Sequence, residues 1–167
     1  MSNLVKQRPD AKGNMVACET WENGTLLCET IDPKTGEVFP ITIKTQRIAP
    51  GETDTWYFEI KGMRGCGRWS SKKPRTLEIM QYNGGEQAWQ HIDMGASVAY
   101  KGITGGIFEI GFSDIIQQMW AAFIYELVEK KPLSTFASCV TPDEVAYSHR
   151  LLTAALESHK NKTTVEI

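Results

Sequence analysis

Thr141-Pro142-Asp143-Glu144-Val145-Ala146-Tyr147-Ser148-His149-Arg150-Leu151-Leu152-Thr153-Ala154-Ala155-Leu156-Glu157-Ser158 decides how this chain is read. It supplies an N-cap hydroxyl, a proline at the first helical position, two early acids and a capping-box glutamate, and so predicts a helix opening at Pro142. A second helix is predicted from about Asp114, where Ile115, Ile116, Met119, Trp120, Phe123, Ile124, Leu127 and Val128 form a doubled apolar stripe at helical period. That stripe is expected to be buried along a wide face, with Trp120 and Phe123 as packing residues. His149 shares a stripe with Val145, Leu152 and Leu156 and is expected as a hydrogen-bonded core residue. The closing Thr163-Thr164-Val165-Glu166-Ile167 reads as a short strand, which needs a sheet to join.

Upstream of the helices the pattern changes to strands. Met15 to Trp21 and Thr25 to Ile31 flank Asn23-Gly24, the dipeptide that most readily forms a type I′ hairpin turn. Asp32-Pro33-Lys34-Thr35-Gly36 reads as a second turn, followed by a strand within Val38 to Ile48. Trp56 to Lys61 alternates, with Trp56, Phe58 and Ile60 on one face. Shorter strands are expected at Gly67 to Ser70, Thr76 to Tyr82 and Gln87 to Asp93, the last two joined through Asn83-Gly84-Gly85. A glycine-rich bridge from Gly102 to Gly111 leads into the first helix. Strands first and helices afterwards predict an α+β fold: a large, mostly antiparallel, open-faced sheet with helices packed on one face. The polar stretch 1–13 reads as a lead-in or linker, and 14–167 as a single domain.

The chain has 167 residues, 41% of them apolar, with a formal net charge of −2. That length suits one core. The charge offers no basic attraction to nucleic acid, and no apolar run reaches the roughly 18 residues of a membrane span. A cytoplasmic location is therefore expected, without nucleic-acid or membrane partners. Cys18, Cys28, Cys66 and Cys139 are scattered, with neither a C-x-x-C pair nor a histidine at metal spacing, so no metal site is expected.

Two glycine clusters were weighed as phosphate cradles, Gly62-Met63-Arg64-Gly65-Cys66-Gly67 and Gly102-Ile103-Thr104-Gly105-Gly106. Neither has the spacing of a dinucleotide loop or a P-loop, and both read as turns. The basic run Arg68, Lys72, Lys73, Arg75 reads as a solvated loop. Gln87, Trp89, His91 and Asp93 would share one face of their strand, where aromatic, imidazole, amide and carboxylate groups can stack on and hydrogen-bond a sugar-like ligand; a solvated face, or one covered by a partner subunit, is the alternative. Tyr100-Lys101 before the glycine bridge and Arg64 in the first cluster are further candidates. The substrate-binding candidates are thus Arg64, Trp89, His91, Tyr100 and Lys101, with no catalytic residue assigned.

Glu59-Ile60-Lys61-Gly62-Met63-Arg64-Gly65, Gly105-Gly106-Ile107-Phe108-Glu109-Ile110-Gly111-Phe112-Ser113-Asp114, Gln118-Met119-Trp120-Ala121-Ala122-Phe123 and Ala154-Ala155-Leu156-Glu157-Ser158, in that order, resemble the C-terminal domain of the Gfo/Idh/MocA oxidoreductases. The likeness runs from about Val16 to Ile167. It implies a domain that forms substrate-pocket walls and a homo-oligomer interface through its sheet face, working beside a Rossmann domain that binds NAD or NADP. That domain's glycine fingerprint and glutamate-lysine-proline motif are absent from this sequence, and so is the helix that carries the family's aspartate and acid/base histidine. The resemblance therefore implies a partial site, inactive alone, for a sugar- or inositol-type substrate. A stand-alone binding or scaffold module is the alternative, and a sheet face turned into an apolar-ligand pocket is a third reading, against which the polar row Gln87, His91, Asp93 argues.

Overall fold

A computed structural model describes residues 1–95 and 97–167. Among the described residues eight strands precede two helices: β1 Gln7–Pro9, β2 Met15–Ala17, β3 Asn23–Ile31, β4 Val38–Gln46, β5 Tyr57–Gly62, β6 Gly65–Ser70, β7 Thr76–Gln81, β8 Gln90–Asp93, α1 Phe112–Glu129 and α2 Pro142–Asn161. Every strand pair is antiparallel, so the α+β expectation holds. The single large sheet does not: the described strands form two two-stranded sheets, β1-β2 and β3-β4, and one four-stranded sheet in the order β5-β6-β7-β8. Between β4 and β5 the chain leaves strand geometry around Pro50 and Gly51 (φ 91°), and the ladder stops there.

The chain divides into two compact units, Met1–Glu52 with Pro142–Ile167, and Thr53–Thr141. In the first, Asn23-Gly24 makes no turn. The Asn23 side-chain amide donates to the Ile48 carbonyl at 3.3 Å and its oxygen accepts the Ile48 N–H at 3.2 Å, which holds Asn23 in the β3-β4 ladder. The hairpin closes instead at Asp32–Glu37, where Asp32 Oδ1 accepts the Lys34 N–H at 2.7 Å and Gly36 supplies the positive φ of 74°. Residues 1–13, expected as a lead-in, contain β1, which pairs with β2. Glu22, 2% exposed, ties this segment down: its carboxylate accepts the Leu4 N–H at 2.7 Å and Arg8 Nη2 at 3.1 Å. Desolvation pushes that carboxyl up, but the Leu4 amide, Arg8 and the Val5 amide together hold it below its ordinary range.

Helix α2 starts at Pro142 as expected and ends at Lys162 in the left-handed region (φ 57°), whose N–H donates to the Ser158 carbonyl at 2.8 Å. The tail beyond it is not a strand: residues 163–167 have no ladder partner, and Ser158 Oγ donates to the Thr163 carbonyl at 2.6 Å as part of the helix end. His149 is exposed rather than in a core. His159 is the packed histidine, with its ring edge-on to Trp21 at 4.7 Å between centroids and Nδ1 3.3 Å from the N-terminal ammonium.

In the second unit, Met63-Arg64 forms a two-residue turn between β5 and β6. Gly65 is required just after it, because a Cβ there would lie 2.6 Å from the Met80 carbonyl oxygen across the ladder. Gly105 (φ 63°) and Gly106 (φ 85°) turn the bridge toward α1. Helix α1 begins with the Asp114 carboxylate accepting the Gly111 N–H at 2.8 Å and stops at left-handed Lys130 (φ 56°).

The apolar stripe of α1 is not covered as expected. Among the described residues only Ala122 and Ala154 are buried apolar side chains, while Trp120, Phe123 and Leu127 are each about half exposed. The accessible surface totals 13811 Å². A compact domain of 18.7 kDa would expose roughly 8,300 Å², and two separate compact bodies of half that mass roughly 10,000 Å² together. The surplus of roughly 3,800 Å² over the two-body case therefore arises within the units.

Candidate functional site

The four-stranded sheet sorts its residues by parity. Register pairs Glu59 with Arg68, Arg68 with Glu78, and Glu78 with His91, so these four side chains cross the sheet as one polar row. The neighbouring row, Phe58, Trp69, Leu77 and Ile92, is paired in the same way one residue along and takes the opposite face.

Glu78 is the centre of the polar row. One carboxylate oxygen accepts Arg68 Nε in a short ion pair, and the other accepts His91 Nδ1 at 2.8 Å. The Arg68 guanidinium lies over the Trp89 ring, 4.1 Å from its centroid. The Arg68 hydrogen bond, reinforced by the charges of Arg68, His91 and Lys73, holds the Glu78 carboxyl below its ordinary range, and Arg68 is raised in return. Desolvation, with Glu59 nearby, raises the Tyr57 phenol. The contact of His91 Nδ1 with Glu78, 2.8 Å, holds the imidazole beside the carboxylate. Beside the row is a cavity of about 250 Å³, lined by Tyr57, Arg68, Ser70, Lys73, Thr76 and Glu78 among others.

Trp89 and His91 are thus brought together, through residues the sequence reading did not propose. By sequence Arg68 reads as part of a solvated basic loop, and Glu78 is an unremarked position within the Thr76 to Tyr82 strand. The available signal was the alternation of Glu78 with Leu77 and Ile79, but its pairing with Arg68 depends on register. Arg75 is not solvated either: it donates to the Gly95 carbonyl at 3.0 Å, to Glu109 at 2.9 Å and to Asp93 at 3.3 Å, fastening the end of β8. Asp93 shares the His91 face as expected, but its carboxylate is engaged by Arg75 and the Gly95 N–H.

Tyr100 belongs to another set of contacts. Its N–H donates to Gln118 Oε1 at 2.9 Å, its carbonyl accepts Gln118 Nε2 at 2.8 Å, and its hydroxyl donates to the Ala137 carbonyl at 3.4 Å. Desolvation, then the charge of Glu126, raises its phenol. Lys101 and Arg64 are exposed, Arg64 at the β5-β6 turn. Both glycine clusters form turns: the first closes a hairpin whose Gly65 is pressed against the Met80 carbonyl, and the second is a run of turns ahead of α1. Among the described residues no helix is long and apolar enough to cross a membrane.

In sequence the chain matches no family model and no curated protein. Its fold is similar to that of a crystal structure of an oxidoreductase domain protein from Kribbella flavida, with a TM-score of 0.67 at 15% identity. The likeness covers 96% of this chain and 40% of that one. The chain therefore spans well under half the length of the structure it matches.

Proposed function

We propose that this chain is the substrate-side, oligomer-forming domain of an oxidoreductase of the Gfo/Idh/MocA kind, acting on a sugar, inositol or related polyol. What supports the reading above all is the fold likeness: nearly all of this chain corresponds to part of an oxidoreductase domain protein. The many large apolar side chains left exposed are consistent with it, since extended exposed apolar patches mark interfaces. A Rossmann domain outside this sequence would hold NAD or NADP, which would accept or supply the hydride. This chain's own residues bind and orient. Trp89 offers an aromatic face, His91 offers its imidazole to a hydroxyl, and Glu78 holds that imidazole at 2.8 Å. Arg64, Tyr100 and Lys101 complete the proposed substrate contacts.

Calorimetric titration of the purified chain with NAD, NADH, NADP, NADPH and myo-inositol, with light scattering on the same sample, tests this. The expected result is a dimer or larger that binds the polyol and no nucleotide. Micromolar nucleotide binding would overturn the division of labour, and a monomer without polyol affinity would leave only the scaffold reading.

A further inference from the structure

We infer that the cavity beside the Glu78 row binds the anionic group, carboxylate or phosphate, of a small polyol acid. This rests on the substrate-side reading above and narrows its ligand class. Both Glu78 oxygens are engaged, one by Arg68 Nε and the other by His91 Nδ1. Arg68 uses only that one nitrogen. Among the described residues its two terminal nitrogens make no hydrogen bond or ion pair, and the Lys73 ammonium on the same wall has no ion-pair partner. The lining thus carries three basic side chains, Arg68, Lys72 and Lys73, against one carboxylate, Glu78, whose oxygens are already occupied.

Arg68 is also held in place. Glu78 grips one edge of the guanidinium and Trp89 supports its plane at 4.1 Å, so the free edge is a fixed, planar pair of donors. That fork matches the spacing of carboxylate and phosphate oxygens, and pre-ordering reduces the entropy lost on binding. Ser70, Thr76 and Tyr57 add hydroxyls to the lining, suited to a polyol rather than to an apolar acid. The volume of about 250 Å³ lies below the roughly 300–1,000 Å³ of drug-sized sites and suits one sugar-sized acid. His91, beyond Glu78, is then placed for the hydroxyl end of the same ligand.

The test is calorimetric titration of the whole chain with D-glucose 6-phosphate, D-gluconate, D-glucose and inorganic phosphate. At least one of the two charged sugars is expected to bind saturably, about tenfold or more tighter than glucose, the worth of one charge-assisted contact. Which of the two binds tells phosphate from carboxylate. Lys73→Gln, at an exposed position that no fold contact depends on, should weaken that binding by a similar factor, and Arg68→Lys should do so while keeping the charge. Glucose binding as tight as both charged sugars would overturn this inference and leave the substrate-side reading standing. Inorganic phosphate as tight as the sugar phosphate, or an unaltered affinity in Lys73→Gln, would also overturn it. Failure of every probe would overturn both.

Discussion

The two faces of the four-stranded sheet are built from alternate residues of the same strands, yet they end in opposite states. On one face Glu59, Arg68, Glu78 and His91 find partners within the chain: Arg68 and His91 share Glu78, and Arg68 rests on Trp89. On the other, Phe58 and Ile60 are 62% and 60% exposed. The difference teaches where each face is completed. Hydrogen bonds and ion pairs are short-ranged and are satisfied locally, so the polar row is organised before any ligand arrives. Apolar surface has no such local solution and needs area from elsewhere, and large exposed patches of it mark interfaces.

The largest effect is expected on the apolar face. Phe58→Lys places a charge where a second copy is proposed to sit, and should lower the mass seen by light scattering from oligomer to monomer while the circular dichroism spectrum is kept. Aromatic anchors at interfaces are commonly worth about 2 kcal/mol or more, roughly thirtyfold in the association constant. An unchanged mass would break the contrast between the faces.

Gly65→Ala comes next, because it strikes the ladder on which both faces depend. The new methyl would meet the Met80 carbonyl at 2.6 Å, and the backbone must shift. A loss of about 1–3 kcal/mol in urea unfolding is expected, together with loss of both ligand affinity and oligomer. Loss of one without the other would show that the faces are not coupled through the sheet.

Glu78→Gln probes the polar row alone and should leave the mass unchanged. Arg68 lowers the folded Glu78 pKa, so its contribution to stability is present above the unfolded carboxyl pKa and is lost as pH falls through the folded one. Thermal unfolding between pH 6 and pH 3 should therefore drop more steeply in the wild type than in the variant.

The smallest effect lies outside the sheet. Desolvation, then the charges of Lys162 and the N-terminus, lower the His159 pKa. The unfolded chain therefore takes up a proton first, and stability should decline as pH falls through the ordinary histidine range toward the folded value. His159→Phe should remove that decline in a melting series from pH 7.5 to 5.5, with the sheet's two faces unaffected.

How legible all this was depended on the range of the forces involved. Helix α1 was visible in the period of Ile115 to Val128, and α2 in the Thr141-Pro142 opening, because capping and periodicity act within a turn or two. Strand parity was visible as well, and it placed Trp89 and His91 on one face. The Asn23-Gly24 turn was misread for a related reason: local propensity favours it, but Ile48, far along the chain, offers Asn23 two hydrogen bonds that hold it in a ladder.

By itself, then, the sequence determined the two helices, the start of α2 and the alternation within the strands. All of these follow from neighbours a few residues apart. Only the tertiary structure decided which strands pair and in what register. Ten residues separate Arg68 from Glu78 and thirteen separate Glu78 from His91, and the hairpin turns between them set which side chains meet. Register also decided that Gly65 must be glycine and that Arg75 fastens β8. The exposure of the α1 stripe and of Phe58 was decided there as well, because a periodic pattern states that a face is apolar, whereas only packing determines whether this chain covers it.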